Sequence, residues 1–204
     1  MAASQNAVKL RHAVKASGFA LRPETELDSD SLEVFRAVAT LGPQAAATAQ
    51  QLLTTFESRA VETARPTPGS ADLIITAHRT GRTVTIVSNN STAAIRKYLA
   101  DHRLSDYIRA VFGRDNDPAL MKPSPYRVRE AVGSLGADPH ECAFVGDSGT
   151  DVLAGRLAGV PVIGYANKPG KADALTRAQA DAVTTDLAEI TTALRAAPRA
   201  ALPN

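Results

Sequence analysis

The stretch Phe144-Val-Gly-Asp-Ser-Gly-Thr-Asp151, FVGDSGTD, ends an apolar run at a glycine and then delivers two carboxylates four positions apart. Gly146 and Gly149 let the following loop turn sharply, and the spacing returns Asp151 to the side of Asp147. Two acids that close repel each other, and a pKa rises unless something cationic holds them. Two readings fit the stretch. One is a loop acid followed by a helix-capping acid. The other is a pair of hard oxygen ligands at a strand end, the donor type of which Mg²⁺ takes one or two beside waters and phosphate oxygens.

Outward from this stretch, apolar runs alternate with helical periodicity. The runs are TVTIVS (Thr83 to Ser88), IRAVFG (Ile108 to Gly113), CAFVG (Cys142 to Gly146) and PVIGYA (Pro161 to Ala166). Helical patterns stand between them at 71–80, 92–99, 126–136 and 151–159. Short β-branched runs separated by helices predict βαβ units, hence an α/β fold with a Rossmann-like parallel sheet. Upstream of the Pro/Gly break RPTPGS (Arg65 to Ser70) only helices are predicted. Val8, Leu10 and Val14 mark the first. Asp30 with Glu33 forms a capping box ahead of Leu32, Val34, Phe35 and Val38. An Ala-rich third follows Pro43. The expected organisation is a helical cap subdomain over 1–66, the α/β core over 67–190 and a tail over 191–204.

The chain of 204 residues suits one domain with a small appendage. It is 44% hydrophobic but only 4% aromatic and has no Trp, so the core must be built from Ala, Val, Leu and Ile. A formal charge of +2 with no basic run excludes a nucleic-acid partner. The single cysteine, Cys142, cannot form an internal disulfide, and its place beside an apolar run predicts a small buried hydrophobe. No apolar run of membrane-spanning length occurs and the N-terminal stretch lacks an apolar signal core, so a cytoplasmic protein with no membrane partner is expected. Nothing in the sequence sets the oligomeric state.

In open parallel sheets ligands bind beyond the carboxyl ends of the strands. After TIV come Ser88, Asn89 and Asn90, where a hydroxyl and outward-facing amides either cradle a phosphate or cap the next helix. Lys122 precedes Pro123 and Pro125, which fix the backbone and present the lysine, although a solvated lysine fits equally. Asp115 and Asp117 read as turn and cap residues. Asn167, Lys168 and Lys171, after the last of these strands, either reach an anionic substrate or belong to an ordinary loop.

In chain order these features are a hydroxyl at Ser88, a lysine at Lys122 and a diacid at Asp147 and Asp151, each following an apolar strand. The order resembles the haloacid dehalogenase-like (HAD) hydrolase superfamily, in its capped phosphatase branch, from PTPG to about residue 190. The resemblance implies Mg²⁺-dependent hydrolysis of a small phosphorylated metabolite through an aspartyl-phosphate. It makes Ser88, Lys122 and Asp147 catalytic, with Ser88, Asn89, Asn90 and Lys122 holding the phosphoryl group. Asp147 and Asp151 become the metal ligands, and the leading helices the family's cap.

The sequence departs from that pattern in one respect. The family's nucleophilic aspartate ends a first strand that lies mid-sheet, between the strands ending at Ser88 and Gly146. Asp28-Ser29-Asp30 offers the right acids, but the preceding PETEL has a single aliphatic residue, and helix capping accounts for Asp30. Without that strand a gap of two strand spacings, roughly 9.5 Å, is expected in the sheet. Three explanations stay open: a truncated form of an ordinary hydrolase, a non-catalytic module that binds Mg²⁺ and phosphate, or a nucleophile from elsewhere.

Overall fold

The structure is a computed structural model that describes residues 2–197. It divides into two compact units. The first holds the chain up to Ala64 together with 89–98 and 113–119; the second holds 65–88, 99–112 and the chain from Leu120 onward.

The first unit is built on four helices: α1 (Ala2–Ala16), α2 (Pro23–Leu27), α3 (Ser31–Ala39) and α4 (Pro43–Val61). Ala7, Leu10 and Val14 of α1 are fully buried, as are Val34, Phe35 and Val38 of α3 and Ala45 and Ala49 of α4. Each set falls at helical spacing, so three apolar stripes close on one another. Alanine on α4 lets the helices approach closely, which is how a chain poor in aromatics fills this core. Asp30 caps α3 by accepting from the Leu32 amide at 2.8 Å. The expected capping box is incomplete, because the Asp30 amide donates to Asp28 Oδ1 at 2.9 Å and Glu33 pairs with Arg36.

In the second unit β3 (Phe144–Gly146), β4 (Val162–Tyr165) and β5 (Ala182–Thr184) form a parallel sheet in the order β3-β4-β5. Phe144 stands opposite Val162, and Ile163 opposite Ala182. The remaining strands, β1 (Thr85–Ser91) and β2 (Ala110–Arg114), pair in a separate sheet. The helices that follow the first unit's four are α5 (Ser70–Arg79), α6 (Thr92–Asp101), α7 (Tyr126–Leu135), α8 (Gly149–Leu157), α9 (Lys171–Arg177) and α10 (Leu187–Ala196). Val152, Val162, Ala166 and Leu175 are the buried centre of one apolar cluster. Val128, Ala154 and Val160 form another, against which Val87 of β1 and Phe144 of β3 both pack. Cys142 joins that cluster only half-buried, rather than as a fully buried hydrophobe, and burial pushes its thiol up, with Glu141 and Asp138 adding to the effect.

Three differences from the sequence reading concern element ends. β1 runs through Ser91, so Ser88, Asn89 and Asn90 lie within a strand and not in the loop after it. The extension needs a close backbone approach at Gly113, where a Cβ would stand 2.5 Å from the Thr92 amide nitrogen. β5 has only three residues, flanked by Asp181 and Thr185, too short a run to register as a strand. The tail expected from 191 begins later, because α10 continues to Ala196 on its Asp186 cap and packs against α5. The rest of that tail, 198–204, lies outside the described residues. Among the described residues no helix is long and apolar enough to cross a membrane.

Candidate active site

Ser88, Lys122, Asp147 and Asp151 line one cavity of about 430 Å³ in the second unit. β1 carries Ser88 to it, and Lys122 enters from the segment before α7. β3 ends at Gly146 and releases Asp147, after which α8 begins. Gly146 is required here because a Cβ would stand 2.4 Å from that of Asp151.

Asp151 has two jobs, one on each oxygen. Ser148 is the N-cap of α8 and accepts from the Asp151 amide, while Asp151 Oδ2 accepts from the Ser148 amide at 3.0 Å and its hydroxyl at 2.7 Å. The Asp147 amide also donates to Oδ2 at 3.0 Å. A reciprocal cap of this kind satisfies donors that a helix start leaves unpaired. Oδ1 points away from the cap and lies 2.5 Å from Lys122 Nζ. That contact is a close ion pair between two side chains largely shielded from solvent. Burial pushes the Asp151 carboxyl up. Lys122, by charge and contact, then Ser148 and the Asp147 amide outweigh that push and hold it below the ordinary carboxylate value.

Asp147 is partnered differently. Its Oδ2 accepts from Lys171 Nζ at 2.6 Å and from Asn167 Nδ2 at 2.9 Å, and Lys171 also donates to the Asp147 carbonyl at 2.7 Å. Its Oδ1 meets no partner among the described residues. The two acids therefore avoid mutual repulsion by taking one lysine each: Lys122 for Asp151, Lys171 for Asp147. Asn167, which also lines the cavity, and Lys171, read from the sequence as reaching toward an anionic substrate or as loop residues, both bond the Asp147 carboxylate.

Among the described residues no group of three or more His, Cys, Asp or Glu side chains stands ready for a metal. Mg²⁺ does not need such a cage, since one or two carboxylates with water and phosphate oxygens suffice. Asp147 and Asp151 are oxygen donors of that type and so fit the ion, each with one oxygen already paired to a lysine.

Asn89 and Asn90 belong to the first unit and are not among the residues lining this cavity. There the Asn89 carbonyl accepts from Arg114 Nη1 at 2.7 Å, and the Ser91 amide donates to Glu57 Oε2 at 2.8 Å. Arg114 closes the cluster with bonds to Glu57 and Gln50, both at 2.6 Å, and lies over the Phe35 ring. Nothing in the spacing of residues 50, 57 and 114 announces this cluster. Asp28 and Asp30 cap α3, and Asp115 and Asp117 bond amides two residues ahead, so each of these acids has a local structural role.

Residues 17–159 match the haloacid dehalogenase-like hydrolase family. A phosphoglycolate phosphatase of Caulobacter vibrioides is 31% identical over 130 residues, 62% of this chain and 54% of that protein. Its counterpart from Yersinia pestis is 30% identical over 114 residues, 56% of this chain and 49% of the other. The chain thus spans about half the length of the curated relatives it matches. A predicted phosphatase from Clostridium acetobutylicum shares the fold with a TM-score of 0.71 over 96% of this chain and 93% of its own, at 16% identity. A family match over more than half of the chain, joined to this fold, settles its lineage: the chain belongs to the haloacid dehalogenase-like hydrolase family.

Proposed function

We propose that the cavity is a Mg²⁺-dependent site for a small phosphate monoester, of the kind that phosphatases of this family hydrolyse through an aspartyl-phosphate. The observation that carries this reading is the convergence of Ser88, Lys122, Asp147 and Asp151 on one cavity. Lys122 would neutralise charge on a phosphoryl oxygen while remaining bonded to Asp151. The Ser88 hydroxyl would donate to a second oxygen. Asp147 would hold Mg²⁺, with Asp151 as a direct ligand or through water. When bound, the ion would offset charge on the transferring group, where most of the catalysis of phosphoryl transfer resides.

The carboxylates that line the cavity are Asp147 and Asp151, and both are already committed to lysines and to the α8 cap. Neither is left to attack phosphorus, and Asp28 is engaged at the start of α3. We therefore infer that this chain binds phosphate but turns over poorly by itself, since losing a nucleophile lowers hydrolase rates on the order of 10⁴ to 10⁶. The same observation supports the second reading, a non-catalytic Mg²⁺- and phosphate-binding module.

Calorimetric titration with inorganic phosphate, with and without Mg²⁺, tests the site. Saturable binding that needs Mg²⁺ and disappears in Asp147→Ala is expected; binding unchanged by that substitution would remove Asp147 from the metal's ligands. Release of phosphate from an aryl phosphate separates the two readings. Turnover lost on Asp28→Asn would restore Asp28 as nucleophile. Lys171 supplies a further check, because it now occupies the carboxylate that a metal would take. An exposed ion pair contributes about 0.2–1 kcal/mol, so Lys171→Met should tighten Mg²⁺ binding by up to about fivefold. Weaker Mg²⁺ binding in that variant would make Lys171 a support for the site and not a competitor.

A further inference from the structure

We propose that Lys171 is a second phosphate-binding cation of this site, held on Asp147 while no divalent cation is present and handed to a phosphoryl oxygen once one is. The proposal rests on the Mg²⁺- and phosphate-binding reading above, and adds to it a residue and an order of binding.

Local structure aims this lysine at the site. β3 and β4 are parallel, and Gly146 stands opposite Gly164, so one step further along each strand Asp147 and Tyr165 come side by side at the cavity. The loop after β4 turns at Gly170, whose left-handed backbone (φ 78°) precedes α9, and Lys171 is the first residue of that helix. Long side chains on a helix lean back toward its N-terminus, here toward the carboxyl ends of the strands. Lys171 Nζ accordingly reaches the Asp147 carboxylate at 2.6 Å and the Asp147 carbonyl at 2.7 Å. Asn167, from the same loop and itself part of the cavity lining, donates to the same carboxylate oxygen at 2.9 Å.

The two lysines of the site are held with different strength. The Lys122 side chain is 11% exposed and that of Asp151 7%, a shielded pair that is costly to break. The Lys171 side chain is 30% exposed and that of Asp147 46%, and an ion pair that open to water is weak. Lys122 therefore stays on Asp151 and shares only part of its charge with a ligand, whereas Lys171 can leave.

Charge decides when it leaves. Asp147 and Asp151 balance Lys122 and Lys171, so these four groups offer a phosphate dianion no net attraction while the metal is absent. With a divalent cation on Asp147, the ammonium beside it is repelled. Oxygens that share one small cation are close neighbours, so the released ammonium has the phosphoryl oxygens as its nearest anions. There it donates a charge-assisted hydrogen bond, the stronger kind. Divalent cation first and phosphate second is the resulting order.

Calorimetry on the intact chain tests the proposal. Lys171→Met should bind Mg²⁺ alone up to about fivefold more tightly, yet bind inorganic phosphate at saturating Mg²⁺ about tenfold or more weakly. Lys171→Arg should recover most of the phosphate affinity, since a guanidinium also bonds phosphate oxygens. Phosphate affinity unchanged in Lys171→Met would overturn the proposal by leaving the lysine a competitor for the metal alone. Weaker binding of both ligands would overturn it by making Lys171 a structural brace. Native protein with no Mg²⁺-dependent phosphate binding would remove the underlying reading of the site, and the proposal with it, before any variant is compared. A second measurement needs no variant: acetylation of Lys171 in the native protein, read by peptide mass spectrometry. Its rate should rise with Mg²⁺ alone and fall again when inorganic phosphate is added; a rate indifferent to both would overturn the proposal.

Discussion

Arg114→Met lowers the unfolding free energy by about 3–5 kcal/mol, the usual loss when one partner of a buried ion pair is removed. The measurement is a fall in the urea midpoint with an unchanged slope. The Arg114 side chain is fully buried, 0% exposed, and that of Glu57 is 13% exposed. Removing the guanidinium strips Glu57 of its counter-charge and leaves the Gln50 amide oxygen and the Asn89 carbonyl without the donors they now have. Arg114→Lys should recover little, because an ammonium is a point donor and cannot reproduce a fork that bonds Glu57, Gln50 and Asn89 together. Adding Glu57→Leu to Arg114→Met should restore much of the stability, since the stranded charge goes with it. A loss below about 1 kcal/mol in the single variant would show that water reaches Glu57 and that the cluster is not the fastening the distances suggest. The last residues of β1 bear the local consequence: the Ser91 amide, bonded to Glu57, should exchange its hydrogen faster in the variant.

That cluster also marks where sequence reasoning stops. Alternation and spacing are local signals, so the helical stripes of α1, α3 and α4 and the apolar runs of β1 to β4 could be read directly. The strand-end position of Asp147 follows from the same signals, because parallel strands direct what comes after them to one side of the sheet, whereas Ser88 lies inside β1 and Lys122 well beyond β2. Pairings between residues far apart have no such signature. Gln50, Glu57 and Arg114 sit on different elements or turns, and Lys171 chooses the Asp147 carboxylate over solvent for reasons visible only in three dimensions. That no strand pairs between β1 and β3 among the described residues was foreseen only through the family resemblance, not from the letters themselves. Even the two acids of the opening stretch were only half legible: their proximity follows from spacing, but each one's lysine does not.

Lys122→Met tests that last pairing and carries the other large effect. Near pH 7 the variant should lose about 3–5 kcal/mol, the usual consequence of stranding one charge of a buried pair. Asp151 would be that charge, since both side chains of the pair are largely shielded from solvent. The dependence on pH gives the charge away. Burial raises the Asp151 carboxyl, but Lys122 and the hydrogen bonds at the α8 cap outweigh it, so the folded value lies below the ordinary one. That ordinary, unfolded value is about 3.9. A carboxylate so depressed contributes its full stability above the unfolded value and loses it as pH falls through the folded value. The stability gap between the native protein and Lys122→Met should accordingly be widest near neutrality and close below about pH 4, as protonation removes the pair from both. Urea denaturation from pH 7 down to pH 3, with chelator present so that no divalent cation takes the lysine's place, measures the gap. A gap that stays constant with pH would locate the loss in packing, where Lys122 Nζ lies 5.7 Å from the centre of the Phe144 ring, and not in the charge on Asp151. Either way Lys122, paired with Asp151 and 3.4 Å from the Val87 carbonyl, ties β1 to the start of α8 within the second unit.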